Sequence, residues 1–400
     1  MYNIMNFDEK INQFNINYLQ IKKNIKKAII DKKITSGSGG SSNIVILQDD
    51  YVIKIIPNYK NYLLKVKPNH DELEYNIYKK LTDEYLITNK TPHIVGVYKK
   101  YILEDVKIMF AHKCLTLDQK IILPFNKRER LLEKLCDWKQ SYNNKILEKK
   151  GTLIILENCP TTISDELQKL LGKKQKIGEK VHIFNIFIKR ILFQFMITLG
   201  KIHQDYPNFI HNDMFLRNIL AVNEDDFEVS DYVEYNHMGK KYYLPANGIC
   251  LKINDFGYSL NILKHNSTLE NKINQTSNNI FEIKNQFRDV YTFLFDLYDG
   301  SGMGGLSVKT VISQQIKKKS DQTIFMKNFR KCIGMFFNYK LIDKIHKVNE
   351  GSLDFLWNIS DSKMLLNTVK KPNDYFKSKA FDNLRTLPDN CRVVKIYGNI

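Results

Sequence analysis

Two short segments carry residues whose types and spacing suit phosphoryl transfer. In the first, Ile210-His211-Asn212-Asp213-Met214-Phe215-Leu216-Arg217-Asn218-Ile219-Leu220, an Asp and an Asn stand five positions apart, just after a His. In the second, Lys252-Ile253-Asn254-Asp255-Phe256-Gly257, an Asp sits on a sharp Phe-Gly turn after an apolar β-like run. Asp213 can accept the proton of an attacking hydroxyl, while Asn218 and Asp255 can hold Mg²⁺ on the phosphates of a nucleotide. A lone Asp in a turn is ordinarily a cap or an Asx-turn. The Asn five positions on, and the second Asp downstream, shift the reading to catalysis.

In these residues the sequence resembles the protein-kinase superfamily, over roughly residues 34–386. The resemblance implies an α+β, bilobal fold, with a small β-rich N-lobe holding one regulatory helix and a larger, mainly helical C-lobe. It implies ATP and Mg²⁺ as cofactors and a protein hydroxyl as acceptor. Asp213 becomes the catalytic residue, Asn218 and Asp255 the metal ligands, and His211 a packing residue of the loop. Ile34 to Leu47 contains the Gly/Ser run that would cover the phosphates, since Gly lets the backbone approach them closely. Gly37 and Gly39 match the first two glycines of that pattern, Ser42 replaces the third, and Ile44 takes the usual Val position. Lys54, flanked by apolar residues in Tyr51-Val52-Ile53-Lys54-Ile55-Ile56, reads as the strand lysine that holds the α- and β-phosphates. If it points inward it needs a partner. Glu74 is the candidate, with Glu72 as the fallback. Ile77, Tyr78 and Leu81 share a helical face with Glu74. Gly151 to Pro160 looks like the last small-lobe strand and the hinge, with Leu156 as gatekeeper and Glu157 C=O and Cys159 N–H facing the adenine. The nucleotide-contacting set is then Gly37, Ser38, Gly39, Ser42, Ile44, Val52, Lys54, Leu156, Glu157 and Cys159. Asp289, in Phe287-Arg288-Asp289-Val290-Tyr291, resembles the family's buried Asp that ties down the catalytic-loop backbone.

Other elements must position these residues. Residues 3–30 read as one amphipathic helix, from apolar residues near helical spacing with Lys between them. Two stretches, His93–Tyr98 and Val106–Phe110, read as β-like. Asn126 to Tyr142 reads as a helical insertion, Thr161 to Leu171 as a helix and Val181 to His203 as a long buried helix. Val222 to Gly248 reads as an extended hairpin near the active-site mouth. Its acidic arm, Glu224 to Glu234, is a surface on which a basic substrate would dock. Residues 258–284 look loop-like, Gly300 to Gly305 is another loop, and the rest to about residue 386 is helical by pattern. The resulting domains are an N-terminal helical extension over 1–33, an N-lobe over 34–159 with an insertion at 113–150, and a C-lobe over 160–400 with an insertion at 222–249.

Composition narrows the classes. A chain of 400 residues, 43% hydrophobic and 26% charged, is globular and long enough for two lobes. The net charge of +18 comes mostly from Lys, with only eight Arg. Such a surface is either simply solvated or attracts acidic partners. The densest run, Lys317-Lys318-Lys319, has no interleaved aromatics, which argues against nucleic acid. The six Cys form no Cys-x-x-Cys pair or disulfide framework, pointing to a reducing, cytoplasmic setting without structural zinc. The most apolar segment, Val181 to Leu199, has Lys189 and Arg190 at its middle, as a buried helix does and a membrane span does not.

Departures from the family's pattern make this a divergent member, similar to the atypical kinases of large DNA viruses, including the poxvirus type. Its setting would then be host cytoplasm or virion. Phe215 stands where Ser/Thr kinases often carry Lys, and Arg217 resembles the arrangement in many tyrosine kinases, within reach of the γ-phosphate. Both specificities therefore stay open. Ala-Pro-Glu is absent from the activation segment, which is compatible with a small-molecule kinase of choline or aminoglycoside type. A pseudokinase scaffold is the third class, opposed by Lys54, Asp213, Asn218 and Asp255 all being present. Asn212 stands where regulated kinases carry an Arg that accepts the activation-loop phosphate. Activity should therefore be independent of that phosphorylation: phosphatase treatment leaves the turnover rate unchanged, and a severalfold loss would contradict this.

Overall fold

The computed structural model describes residues 7–30, 34–36, 44–48, 50–59, 70–110, 125–224, 226–263, 287–300, 306–340 and 369–398. The chain falls into two compact units. The first comprises Asn3–Asp83 and Val95–Asn158, and the second Met1–Tyr2, Glu84–Ile94 and Cys159–Ile400. The described architecture is mixed α+β.

The first unit is built on a five-stranded antiparallel sheet, β1 (Ile34–Ser36), β2 (Ile44–Leu47), β3 (Tyr51–Tyr59), β4 (Val97–Leu103) and β5 (Leu147–Glu157), in the order β1-β2-β3-β5-β4. An antiparallel sheet with one wet face alternates apolar and polar residues, whereas β3 is apolar nearly throughout. The reason is that both of its faces are covered. Ile53 and Ile55, with Ile44, Ile46, Leu153 and Ile155, form one core with Ile21, Ile25 and Ala28 of α2 (Tyr18–Ile30) and Leu131, Leu135 and Trp138 of α4 (Phe125–Asn143). Lys54, one residue out of phase, takes the opposite face, where it meets α3 (His70–Leu81). The N-terminal extension and the helical insertion thus bury a sheet face that would otherwise meet water.

The extension is two helices, not one. α1 (Phe7–Gln13) and α2 are separated at residues 14–17, because the Asn17 side chain accepts from Gln20 N (2.9 Å) and caps α2. Val106–Met109 is a 3₁₀ turn rather than a strand, since Asp105 accepts from Lys107 N at 3.0 Å and closes the turn.

The second unit surrounds α6 (Ile177–Asp205), which follows β6 (Thr161–Thr162) and α5 (Ile163–Gly172). α6 is the described helix with the length and apolarity of a membrane span, and most of that apolar stretch is buried inside the protein. Phe193 at its centre meets Tyr235, Tyr242, Phe376 and Phe381 with ring centroids 5.2–5.9 Å away. Two of those rings come from the insertion after the Asp213 loop. That insertion is a hairpin, β8 (Asp231–His237) and β9 (Lys240–Pro245), inserted between β7 (Ile219–Glu224) and β10 (Gly248–Ile253). Its two turn residues, Met238 (φ 51°) and Gly239 (φ 69°), are both left-handed, as a tight hairpin turn needs. Two acids of the arm are engaged internally: Asp231 pairs with Arg392 (2.6 Å) and Glu234 with Lys241 (3.0 Å). Arg392 opens β11 (Arg392–Tyr397), which pairs parallel with β8 and which the sequence pattern does not announce. His93 adds a further brace, its ring nitrogens 3.0 Å from Leu251 O and from Tyr235 Oη.

Beyond α7 (Phe287–Tyr298), the described residues include the helices α8 (Val308–Gln315), α9 (Lys319–Ile333) and α10 (Pro372–Lys377). The last docks against α6 through Asn373, which donates to Gly200 O (3.2 Å) and sits 2.9 Å from His237 Nε2. A Cβ at position 200 would lie 2.6 Å from Asn373 Oδ1, so this mid-helix Gly is required by the docking. Burial pulls the His237 imidazole down to about 4, and it docks neutral.

Lys201, the neighbour of that Gly, is buried and donates to Lys90 O. Burial lowers its ammonium from 10.5 to about 7, with Lys90 adding repulsion. Between those values the unfolded chain binds a proton that the folded chain does not, so this group's contribution makes stability rise with pH. In urea unfolding, the wild type should gain on the Lys201→Met variant by about 1.4 kcal/mol per pH unit across that window. A gap that does not change with pH would remove Lys201 as its source.

Candidate active site

The loop from Ile210 to Asn218 runs straight into β7, and β10 runs out into the Asp255 turn. Their antiparallel register pairs Ile219 with Ile253, and Asn254 N donates to Asn218 O at 3.0 Å. Asn218 and Asp255 therefore emerge at the same end of this ladder, although a whole hairpin separates them in sequence. His211 Nε2 lies 3.0 Å from Asn254 O and joins the two loops directly, and its ring packs on Phe256 (4.9 Å).

The loop's own N–H groups cannot all pair with strand neighbours, and α7 supplies the acceptors. Asp289 takes His211 N (2.6 Å) and Asn212 N (3.0 Å) on its two oxygens. This is the contact that the sequence reading expects of Asp289. Asp296, seven positions on and hence on the same helical face, takes Leu216 N at 2.7 Å. Both carboxylates are buried. Asp296 escapes a reading by motif, yet an Asp in the apolar run of a buried helix was itself the signal. Arg288 also lies here: burial lowers its guanidinium from its ordinary value, while the Asp289 and Asp213 carboxylates oppose that shift.

Within this frame the Asp213 carboxylate is held at both oxygens. Arg217 Nη2 lies 2.6 Å from Oδ1, and Asn218 Nδ2 donates to Oδ2 at 2.7 Å and to the Asp213 carbonyl at 2.8 Å. The Arg217 guanidinium rests 4.6 Å above the Phe215 ring, which gives that Phe a positioning task. Asn212 (φ 72°) and Asp255 (φ 64°) both take the left-handed backbone region, where Asn and Asp are the favoured non-Gly residues. An Arg at 212 would be less at ease in that conformation.

In the first unit, Lys54 Nζ and Glu74 Oε1 form an ion pair at 2.5 Å, with side chains 8% and 6% exposed. Glu74 is carried by the face of α3 that buries Ile77, Tyr78 and Leu81. The Glu72 side chain lies outside the described residues, as do Gly37, Ser38, Gly39 and Ser42. Ile44 is fully buried in β2, and half-buried Val52 stands opposite Leu156 in the β3–β5 register. Leu156 and Glu157 are buried at the end of β5, and Cys159 is buried in the second unit.

Among the described residues no three His, Cys, Asp or Glu side chains gather as a self-sufficient metal cage. Asn218 and Asp255, placed at one end of the β7–β10 ladder, carry hard oxygens, the Asn218 amide having its nitrogen turned to Asp213. They suit Mg²⁺ bound through one or two protein oxygens together with substrate phosphates.

No family model matches the chain. A protein of Acanthamoeba polyphaga mimivirus named "Putative serine/threonine-protein kinase R301" is 33% identical over 411 residues, covering 99% of this chain and 99% of its own length. A second mimivirus protein, "Putative serine/threonine-protein kinase R400", is 33% identical over 110 residues, 26% of this chain and 22% of its own.

The buried Lys54–Glu74 pair carries a direct stability test. Glu74→Ala removes the carboxylate that pairs with this buried ammonium and should destabilise the protein by about 3–5 kcal/mol, while adding Lys54→Met should restore part of that loss. Urea unfolding of the two single variants and the double variant measures the coupling. Strictly additive losses would show that the two charges do not depend on each other.

Proposed function

The chain belongs to the kinase family of its full-length mimivirus relative R301, and from that premise we propose that it is a protein kinase. It transfers the γ-phosphoryl group of ATP to Ser or Thr hydroxyls of a protein substrate. The observation that carries this reading is the Asp213 carboxylate, braced by Arg217 and Asn218 on a loop tied to α7, with Asp255 at the same ladder end. Asp213 accepts the proton as the acceptor oxygen bonds to the γ-phosphorus and ADP leaves. Asn218 and Asp255 hold Mg²⁺, which offsets the phosphate charge. Arg217 meets the transferred phosphoryl group from beside Asp213. Lys54, oriented by Glu74, holds the α- and β-phosphates. Ile44, Val52 and Leu156 flank the adenine, whose edge meets Glu157 C=O and Cys159 N–H. Gly37, Ser38, Gly39 and Ser42 supply the covering loop.

In this reading residues 34–159 are the N-lobe and 160–400 the C-lobe, with 1–33 as an extension and insertions at 113–150 and 222–249. The enzyme works without activation-loop phosphorylation, because Asn212 offers no cationic acceptor. Its lysine-rich surface favours acidic partners, and it acts in host cytoplasm or virion. The names of the relatives favour a protein acceptor over a small alcohol.

Radiolabelled γ-phosphate transfer from Mg²⁺-ATP, offered in parallel to generic basic proteins and to choline, tests the assignment. Label should enter protein Ser or Thr. Asp213→Asn should lower kcat by at least about 100-fold with ATP affinity nearly intact. Label entering choline alone would overturn the acceptor class, and a wild-type protein that transfers to neither would leave a scaffold.

A further inference from the structure

The last residue of β5, Glu157, is gripped from behind by the N-terminal extension. Its N–H donates to Gly96 O at 2.8 Å, and its Oε2 accepts from Gly96 N at 3.3 Å. Its other oxygen faces Lys10 Nζ of α1 at 3.5 Å; the Lys side chain is 42% exposed and the Glu side chain 6%. One helical turn before Lys10, the Phe7 ring lies flat on Gly96. A Cβ at position 96 would stand 1.9 Å from Phe7 Cζ, so only Gly leaves room for the ring there. Phe7 also stacks on Tyr98 at 5.3 Å, and Phe14, just past α1, stacks on that Tyr at 4.4 Å and meets Tyr51 edge-on at 5.4 Å. Tyr51 is the direct cross-strand partner of Glu157. Gly96, Tyr98 and Tyr51 surround the strand end, and α1 touches each of them through its side chains or through the Phe that follows it.

We propose that α1 is a positioning element for base recognition: Lys10 and Phe7 fix the backbone at Glu157 and thereby set the angle of the carbonyl that meets adenine. The inference rests on the hinge assignment given under the proposed function. An extension that only covered apolar surface would need α2, whose Ile21, Ile25 and Ala28 enter the core. It would not need a cation aimed at a carboxylate, nor a ring seated on Gly96, which is bonded to both the backbone and the side chain of Glu157. A half-exposed cation against a buried carboxylate contributes modestly, so its removal shifts recognition without unfolding the sheet. The contacts of Lys10 and Phe7 run to Glu157, Gly96 and Tyr98, so their effect on the nucleotide passes through the base.

The test compares ATP with inorganic tripolyphosphate, which lacks the base, on the full chain. Lys10→Ala should weaken ATP binding about three- to fivefold, leave tripolyphosphate binding and kcat unchanged, and be restored by Lys10→Arg. Phe7→Ala should act in the same direction and further, by roughly tenfold. Equal ATP affinity in wild type and Lys10→Ala would overturn the positioning role while leaving the hinge assignment intact. Equal loss of ATP and tripolyphosphate affinity would reduce α1 to a stability element. A wild-type protein that binds ATP no better than tripolyphosphate would overturn the hinge assignment itself, and the inference with it.

Discussion

A loop that presents a carboxylate to a substrate leaves its backbone N–H groups outside helix and sheet, and buried N–H groups must find acceptors. This constraint organises the second unit. Asp289 and Asp296 answer it from one face of α7, taking the N–H groups of His211, Asn212 and Leu216. Buried carboxylates are expensive unless each oxygen is bonded. Here loop and helix satisfy each other, and neither arrangement is sound alone. With the loop so fixed, Asn218 and Arg217 can reach the two oxygens of Asp213 without a search through rotamers.

The first unit meets the same difficulty at Lys54. An ammonium inside an apolar strand is tolerated because Glu74 arrives from α3. That arrival depends on α3 burying Ile77, Tyr78 and Leu81. The sheet's second face is then left apolar, and α2 and α4 cover it. The extension and the insertion, which look like additions to a simpler pattern, complete a core the strands already require. Their helices follow from composition, but their location follows from the uncovered isoleucines of β2 and β3.

The hairpin inserted between β7 and β10 teaches a related lesson. Its acidic residues suggest a docking arm for a basic substrate, yet Asp231 and Glu234 pair with Arg392 and Lys241 of this chain. Its apolar face, through Tyr235 and Tyr242, packs on Phe193 of the central helix. Charge counted along a sequence says that a segment is acidic, not whether those acids have already found partners. β11 was illegible for the same reason: Val393, Ile396 and Tyr397 make a short, weakly alternating run whose only justification is the open edge of β8.

By itself the sequence determined what depends on short-range spacing. The Asp213–Asn218 interval, the Asp255 turn, the hairpin and the long helix around Phe193 are local patterns, because turn chemistry and helical periodicity are set within a few residues. The spacing also pointed to Glu74 on the buried face of α3, and the family resemblance to Asp289 beside the loop. Only tertiary structure decided which acceptor each buried donor found. Asp296 at the loop, Asn373 against Gly200, and Lys10 with Phe7 around Glu157 each join residues far apart in the chain. Periodicity records that a position is buried, but the identity of its partner is a property of the packed core.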